Sequence, residues 1–443
     1  MRKHLSTLFL ILFLLMILVP SLGMTVFGPS ESENGEELEI PVIYSEEEGF
    51  NKYYLQQMGD YFESRFALRQ QMVTLYSEIT GKIFETSSQS GVITGREDWL
   101  FFTDTLGDFQ RTNILNGRQL HNAVRHLELI NEYCESNGIG FLFVIAPNKN
   151  TLYPEYMPYY LIQGEGPSNR ELLDDLLLDT DVCFTDFGRY DTFLDPDAVY
   201  YFHRDSHWNN IGAAIAAGEV LDRLNVPNHD YTEETVQSGE PHRGDLEQMI
   251  YPSDESSELE MVFANMPVFS YDSPVESNFD FRISTSAGGE QRLLMYRDSF
   301  GSALLPFMAE PFAHALFSRS NSCQISDIEA QMPDFLVVEK AERFISQLST
   351  APSRLPAPLR DLPSDAVNVT VSDLSVAEAG DYVTVTGTLP EGSYSDDSII
   401  LIVSGDLCFE AFPVSNLATG AEDFQALLEK NNVSTDNIMV FIV

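Results

Sequence analysis

The feature that most constrains this chain is an alternation, through its middle, of segments with helical apolar spacing and short uninterrupted apolar runs. Leu120, Val124, Leu127 and Ile130 share one face of a helix expected over 118–134, which ends near Gly138. Residues 141–146 follow as a continuous apolar run, the pattern of a strand buried on both faces. The alternation continues with a helix around 171–178, a short strand at 182–185, a helix over 210–224 and a strand at 292–296. A helix from Phe300 and strands near 314–317 and 335–338 complete it. Strands joined through helices form a layered sheet with helices on both faces, so the fold class is α/β.

The flanking segments read differently. Between 53 and 84, Leu55, Met58, Phe62, Phe66, Met72, Tyr76 and Ile79 recur at helical spacing, giving one long amphipathic helix or two joined near Arg65. Residues 91–102 place an aromatic cluster behind a glycine-containing turn, which suggests a β-hairpin. From about Asp365 the runs 367–371, 382–386, 399–403 and 438–443 are short, β-rich and separated by Gly, Ser and Pro, the texture of a small β-sandwich.

Arg2 and Lys3 precede a wholly apolar run, 8–19, and no acidic residue occurs before Glu31, which marks the chain for export. Ser21 and Gly23 offer small residues for signal-peptide cleavage. The uncharged stretch 5–30 is long enough to span a bilayer and favours an uncleaved anchor. The organisation read from the sequence is therefore an N-terminal anchor or signal peptide over 1–27 and an acidic linker over 28–50, rich in Glu36, Glu37, Glu39 and Glu46 to Glu48. An α/β domain with an N-terminal helix follows over 51–362, then a β-rich domain over 363–443.

The formal net charge of −43, from 68 acidic against 25 basic residues, leaves no basic face for nucleic acid or anionic membrane. Four widely spaced cysteines form no CxxC pair, so neither a zinc ribbon nor a thioredoxin-type site is expected, and buried thiols are the simplest reading.

Two short motifs sit where an α/β sheet places its ligands, beyond strand ends and at helix starts. The first is Tyr201-Phe-His-Arg-Asp205-Ser-His207-Trp208-Asn209 before the helix at 210; the second is Tyr296-Arg-Asp298-Ser299-Phe-Gly301 after the strand at 292. A serine hydroxyl becomes nucleophilic only when a base takes its proton, and His207 is the candidate because imidazole titrates near neutrality. Asp205 would fix its tautomer and stabilise the imidazolium. The first amides of the helix after Ser299 offer an oxyanion site. The plain alternatives are an N-capping Asp-Ser and ordinary packing by an Asp-x-His-Trp. His203, Asp205 and His207 also suit metal ligation, but without HExxH or a cysteine cluster no metal is expected.

Seven landmarks in order give the chain a resemblance to the DHHW-protein family and the related alginate O-acetyltransferases, which are SGNH-hydrolase-like. They are Asp60-Tyr-Phe-Glu-Ser-Arg-Phe-Ala-Leu-Arg69, Val92-Ile-Thr-Gly-Arg-Glu-Asp-Trp99-Leu-Phe, Ile145-Ala-Pro-Asn-Lys149-Asn-Thr-Leu-Tyr-Pro154, Asp205-Ser-His-Trp208, Gly244-Asp-Leu246, Tyr296-Arg-Asp-Ser299-Phe and Pro333 through Glu339 to Arg343. The resemblance implies an SGNH-like three-layer domain with Ser299, His207 and Asp205 as its triad. It also implies that Trp208 and Asn209 position the histidine loop and that Tyr296 and Asp298 shape the serine turn. The Ser299 amide is the expected first oxyanion donor and Arg319 a second; Asn148 and Lys149 are expected to meet substrate. The implied activity is extracytoplasmic O-acetyl transfer to a polysaccharide or cell-wall glycan, without cofactor, from a membrane-bound O-acyltransferase as donor. A carbohydrate esterase with the same triad and a non-catalytic glycan-binding scaffold are the competing readings. The β-rich region lacks tryptophan, so Tyr382, Tyr394, Phe409 and Phe412 are read as core or turn residues rather than a sugar platform.

Overall fold

Burial on both faces is what the apolar runs require, and the computed structural model meets it with a seven-stranded sheet. The structure describes residues 2–30, 40–45, 49–84, 86–187, 193, 198–254, 258–433 and 437–443; Glu36, Glu37, Glu39 and Glu46 to Glu48 of the acidic linker lie outside them. In chain order the strands are β1 (Gly140–Ala146), β2 (Phe184–Asp186), β3 (Ser270–Tyr271), β4 (Arg282–Ser286), β5 (Arg292–Tyr296), β6 (His314–Ser318) and β7 (Phe335–Ala341). Their spatial order is β2-β1-β7-β5-β6-β4-β3. The first five in that order run parallel. β4 and β3 add an antiparallel edge, which periodicity did not reveal because β4 has a single apolar residue, Ile283, and β3 has only two residues.

Alternate residues of each parallel strand face opposite layers. Phe141, Phe143, Ile145, Leu294, Tyr296, Leu336 and Val338 join one core with Leu120, Leu127 and Ile130 of α1 (Gly117–Ser136) and Leu173 and Leu177 of α2 (Asn169–Leu177). Against the opposite face lie α3 (Asn210–Arg223) and α4 (Phe300–Ala309), which also pack on each other. Local chemistry starts these helices. Asn116 with Gln119 and Ser168 with Glu171 form capping boxes on α1 and α2, and Asn209 caps α3 by accepting from the Gly212 amide at 3.0 Å. The fold is thus a mixed α/β sheet with helices on both faces and a further β-rich region at its C-terminal end.

That region consists of two four-stranded antiparallel sheets. One is ordered Val367–Val369, Ile438–Ile442, Ile400–Ser404, Leu407–Glu410; the other Ser372–Ala379, Tyr382–Thr388, Glu422–Glu429, Phe412–Ser415. Val383, Val385, Ile400, Ile402, Phe424, Ala426 and Val440 fill the space they enclose. Its attachment to α1 combines Phe412, which joins the α1 core and meets the His126 ring at 5.2 Å, with polar contacts. Glu410, 1% exposed, accepts from Arg125 Nε at 2.6 Å and Nη2 at 2.7 Å and from Arg360 Nε at 2.8 Å. Glu422 accepts from Arg118 Nε at 2.9 Å and Asn122 Nδ2 at 2.7 Å. Both sheets and the central sheet fall in one compact unit, 95–242 with 258–443.

A second unit comprises 1–94 with 243–257. Its first helix, Arg2–Phe27, contains the 22-residue apolar stretch Ser6–Phe27, long and apolar enough to cross a membrane by length and composition. The amphipathic segment forms two helices, Tyr54–Arg65 and Arg69–Phe84. Extended Phe66 and left-handed Leu68, φ 65°, interrupt the run between them. Of the four cysteines, Cys134, Cys323 and Cys408 are buried, Cys183 is exposed, and none is disulfide-bonded.

The polar attachment of the β-rich region is open to direct measurement. Glu410→Ala would remove the buried carboxylate that Arg125 and Arg360 share, while each guanidinium keeps a second partner, Glu128 or Glu132. The expected loss is about 1–3 kcal/mol of stability, read as a lower urea midpoint; an unchanged midpoint would mean the contact is not structural.

Candidate active site

Residues of the two chemical motifs meet at the carboxyl edge of the parallel strands. Ser299 starts α4, three residues beyond β5, and the 201–209 loop leads into α3. Two carboxylates hold the serine turn. Asp298 Oδ1 accepts from the Phe300 amide at 2.8 Å and Oδ2 from the Ala341 amide at 2.7 Å, which pins the turn to the end of β7. Glu339, fully buried on β7, accepts through Oε2 from the amides of Asp298 at 3.0 Å and Gly301 at 3.1 Å. Gly301 has to lack a side chain, since a Cβ there would lie 2.5 Å from Arg297 Cβ and 2.8 Å from Glu339 Oε2. Burial, and then the neighbouring Asp298 charge, push the Glu339 carboxyl well above the usual range.

Asp205 accepts from the His207 ring, Nδ1 to Oδ1, at 2.7 Å and from the His207 amide at 2.9 Å. The His207 ring lies 5.1 Å from the ring of Phe300, the residue after Ser299. Trp208 closes the same contact, its indole Nε1 donating to the Phe300 carbonyl at 3.1 Å. Asn209 is the α3 cap already described, and its amide side chain also donates to the Val199 carbonyl at 2.7 Å. Burial works against a charged Asp205, but the hydrogen bonds from His207 and His242 outweigh it and hold the carboxyl well below its ordinary range.

A second histidine, His242, faces the same aspartate. Its Nε2 lies 3.1 Å from Asp205 Oδ2, its Nδ1 lies 3.1 Å from Glu260 Oε1, and its ring stacks on Phe202 at 3.7 Å. With a carboxylate facing each nitrogen, the doubly protonated ring satisfies both. Burial disfavours that charge, yet the hydrogen bonds to Asp205 and Glu260 raise its pKa to about 10. The sole hint in the sequence was a histidine beside the Gly244-Asp-Leu246 landmark, and nothing local ties it to an aspartate 37 positions earlier.

Several expected site residues have other duties. Asn148 and Lys149 were expected at the substrate, but they are 0% and 3% exposed. Lys149 Nζ donates to the carbonyls of Leu100, His203 and Asp205 at 2.7, 2.7 and 2.8 Å, so it braces the histidine loop from beneath. Asn148 donates through its amide to Glu342 at 3.0 Å and through Nδ2 to Asp108 at 3.0 Å. Arg319 donates to the Phe279 carbonyl at 3.0 Å; the guanidinium that reaches Ser299 belongs to Arg343, with Nη2 3.5 Å from Oγ. Tyr296 is buried with its hydroxyl 3.1 Å from Asp327, on the face of the sheet that carries the α1 core. The first helical amides expected to receive an oxyanion are occupied, Phe300 by Asp298 and Gly301 by Glu339. His203 turns its ring onto Trp99 at 4.5 Å, and among the described residues it joins no group of ligand atoms with Asp205 and His207.

Residues 92–277 match the family model described as the SGNH hydrolase-like domain of the acetyltransferase AlgX; the match includes Asp205 and His207 and ends before Ser299. A curated relative, the probable alginate O-acetylase AlgJ of Pseudomonas fluorescens, is 22% identical over 204 residues, covering 42% of this chain and 48% of that protein. The chain thus aligns with about half the length of this relative. Among solved structures, a DHHW family protein from Eubacterium siraeum is 13% identical over 51% of this chain and 86% of its own, with a TM-score of 0.39. PatB1 of Bacillus cereus is 13% identical over 58% and 98%, with a TM-score of 0.44. AlgX of Pseudomonas aeruginosa is 15% identical over 83% and 96%, with a TM-score of 0.37.

His242 supplies a pH-dependent prediction. Its folded pKa of about 10 exceeds the ordinary imidazole value near 6.5, so its contribution to stability is full below about pH 6.5 and is lost as pH rises through about 10. The stability difference between wild type and His242→Gln, measured by urea unfolding, should therefore be largest at pH 6 and shrink toward pH 10. A difference independent of pH would show that folding does not raise the pKa of the ring. Over residues 92–277, then, this chain is similar to the SGNH hydrolase-like domain of the AlgX acetyltransferase family.

Proposed function

We propose that this protein is an extracytoplasmic O-acetyltransferase that acts on a polysaccharide through an acyl-serine intermediate, with Ser299 as nucleophile, His207 as base and Asp205 as its orienting carboxylate. The observation that carries the reading is the His207–Asp205 pair at 2.7 Å beside Phe300, at the carboxyl edge of a parallel sheet, next to a serine on a strand-to-helix turn. The similarity to the alginate O-acetylase AlgJ and to the AlgX acetyltransferase domain supports an acetyl group and a polysaccharide acceptor.

In the first half-reaction His207 takes the Ser299 proton as Oγ attacks the acetyl carbonyl. The resulting tetrahedral adduct collapses, the donor's leaving oxygen departs with the proton from His207, and acetyl-Ser299 remains. In the second, a sugar hydroxyl gives its proton to His207, attacks the acetyl-serine, and departs as the acetyl ester while Oγ recovers its proton. The paired Asp205 stabilises the imidazolium in both. Helix Arg2–Phe27 would hold the enzyme at the membrane, near a membrane-bound O-acyltransferase that passes on the acetyl group. With water as acceptor the same steps amount to ester hydrolysis.

The test uses the full chain in detergent with p-nitrophenyl acetate, alone and with oligosaccharides. Ser299→Ala and His207→Ala should each lose at least ~100-fold in nitrophenol release while remaining folded. Acetylated oligosaccharide should form with wild type only. Release of free acetate with no acetylated sugar would make the protein an esterase; wild-type rates in both folded variants would leave a non-catalytic scaffold.

A further inference from the structure

Acyl transfer through a serine develops a full negative charge on the former carbonyl oxygen, and that charge needs donors already in place. The serine turn has few to give. Phe300 N–H donates to Asp298, Gly301 N–H to Glu339, and Ser302 N–H to the Ser299 carbonyl at 3.2 Å. Of the first four amides only that of Ser299 itself remains for an oxyanion, and a single neutral donor is a weak counterpart to a charge.

Arg343 stands where the missing donor is needed. It lies two residues beyond β7, and its Nη2 is 3.5 Å from Ser299 Oγ. Its guanidinium carbon is 5.1 Å from the Phe300 ring centroid, 4.7 Å from that of Phe344 and 5.7 Å from that of Phe102. Contact with the aromatic rings restricts the planar group, and its Nη2 edge faces the Ser299 hydroxyl. Its Nε is buried and has no hydrogen-bond partner among the described residues. Next to it in sequence, Glu342 is clamped by the Asn148 amide at 3.0 Å and the Thr151 hydroxyl at 2.6 Å, which fixes the backbone from which Arg343 projects.

We propose that Arg343 is a catalytic residue: together with the Ser299 amide it donates to the oxyanion of the tetrahedral adducts. The proposal rests on the acyl-serine reading above. As the Ser299 Oγ–carbon bond forms, the carbonyl π pair moves onto oxygen and is held by Arg343 N–H groups, while the serine proton goes to His207. As the adduct collapses the pair returns to the carbonyl, the bond to the leaving oxygen breaks, and His207 protonates that oxygen. Arg343 neither gains nor loses a proton, so what it supplies is charge and direction.

A fluorophosphonate probe isolates this step, because phosphonylation of a serine also builds negative charge on an oxygen bound to the attacked centre. Labelling rates would be measured on the full chain for wild type, Ser299→Ala, Arg343→Ala and Arg343→Met, each checked for its thermal transition. Wild type should label and Ser299→Ala should not. Arg343→Ala should label about 100-fold more slowly and recover in part with added guanidinium chloride below denaturing concentrations, a rescue that a purely structural role would not give. If Arg343→Ala does not fold, Arg343→Met, which keeps the apolar stem, decides by the same slowing. Wild-type labelling in either folded variant, or slow labelling of Arg343→Ala without rescue, would overturn the assignment of Arg343 alone. Equal labelling of wild type and Ser299→Ala, or none in either, would remove the serine reading and this proposal with it.

Discussion

The site depends on two carboxyl groups that bind backbone rather than substrate. Asp298 ties the amide of Phe300 to that of Ala341, and Glu339 ties those of Asp298 and Gly301, so the end of β5, the start of α4 and the end of β7 become one rigid corner. Such a corner is demanding. Glu339 is entirely buried next to Asp298, and its carboxyl is pushed toward the neutral form. Arg297, 1% exposed, completes the frame by donating to Ser302 Oγ at 2.6 Å and to the carbonyls of Asn278 and Asp280 at 2.8 and 3.2 Å. Most of the Tyr296-to-Gly301 motif is therefore scaffold, and its rigidity presents one hydroxyl. The frame engages the amides of Phe300 and Gly301 and leaves that of Ser299, and the Arg343 guanidinium lies 3.5 Å from the Ser299 hydroxyl.

The histidine side is built by the same logic. Its loop is fixed at its backbone, by Lys149 from below and by Glu258, which accepts from the amides of His203 and Arg204 at 2.7 Å each. The aspartate is fixed at both oxygens, by His207 and His242. A cation on the outer oxygen keeps Asp205 ionised and directs its other oxygen to His207, at the price of softening the pull of the carboxylate on that imidazole. In a chain with so few basic residues their placement matters: Arg118, Arg125 and Arg360 join the β-rich region to the rest of its unit, while Arg170 pairs with Asp186 at the end of β2. The acidic surplus belongs to no single one of these contacts.

The parallel core was legible because burial on both faces leaves a periodic trace: 292–296 was read residue for residue, and 335–338 is the start of β7. The antiparallel edge left none, since Arg282–Ser286 carries Arg, Ser and Thr and pairs on register rather than on apolarity. Asp205, His207 and Ser299 were legible as residue types at element ends. Their supports were not. Asn148 and Lys149 look like a polar loop after a strand, and only the tertiary path of the 203–205 backbone turns the lysine inward. Arg319 and Arg343 carry nearly the same sequence signal, each just past a strand flanking β5; the Phe279 carbonyl engages one and the aromatic rings beside Ser299 hold the other. His242 answers to a partner that sequence distance hides.

The central claim is that Ser299 becomes acylated, and the most direct measurement is peptide mapping by mass spectrometry after a brief, acid-quenched exposure of the full chain to p-nitrophenyl acetate. The account predicts one acetyl group on the peptide containing Ser299, absent from Ser299→Ala and depleted in His207→Ala. An acetyl group confined to another residue, or unchanged modification of that peptide in Ser299→Ala, would contradict it.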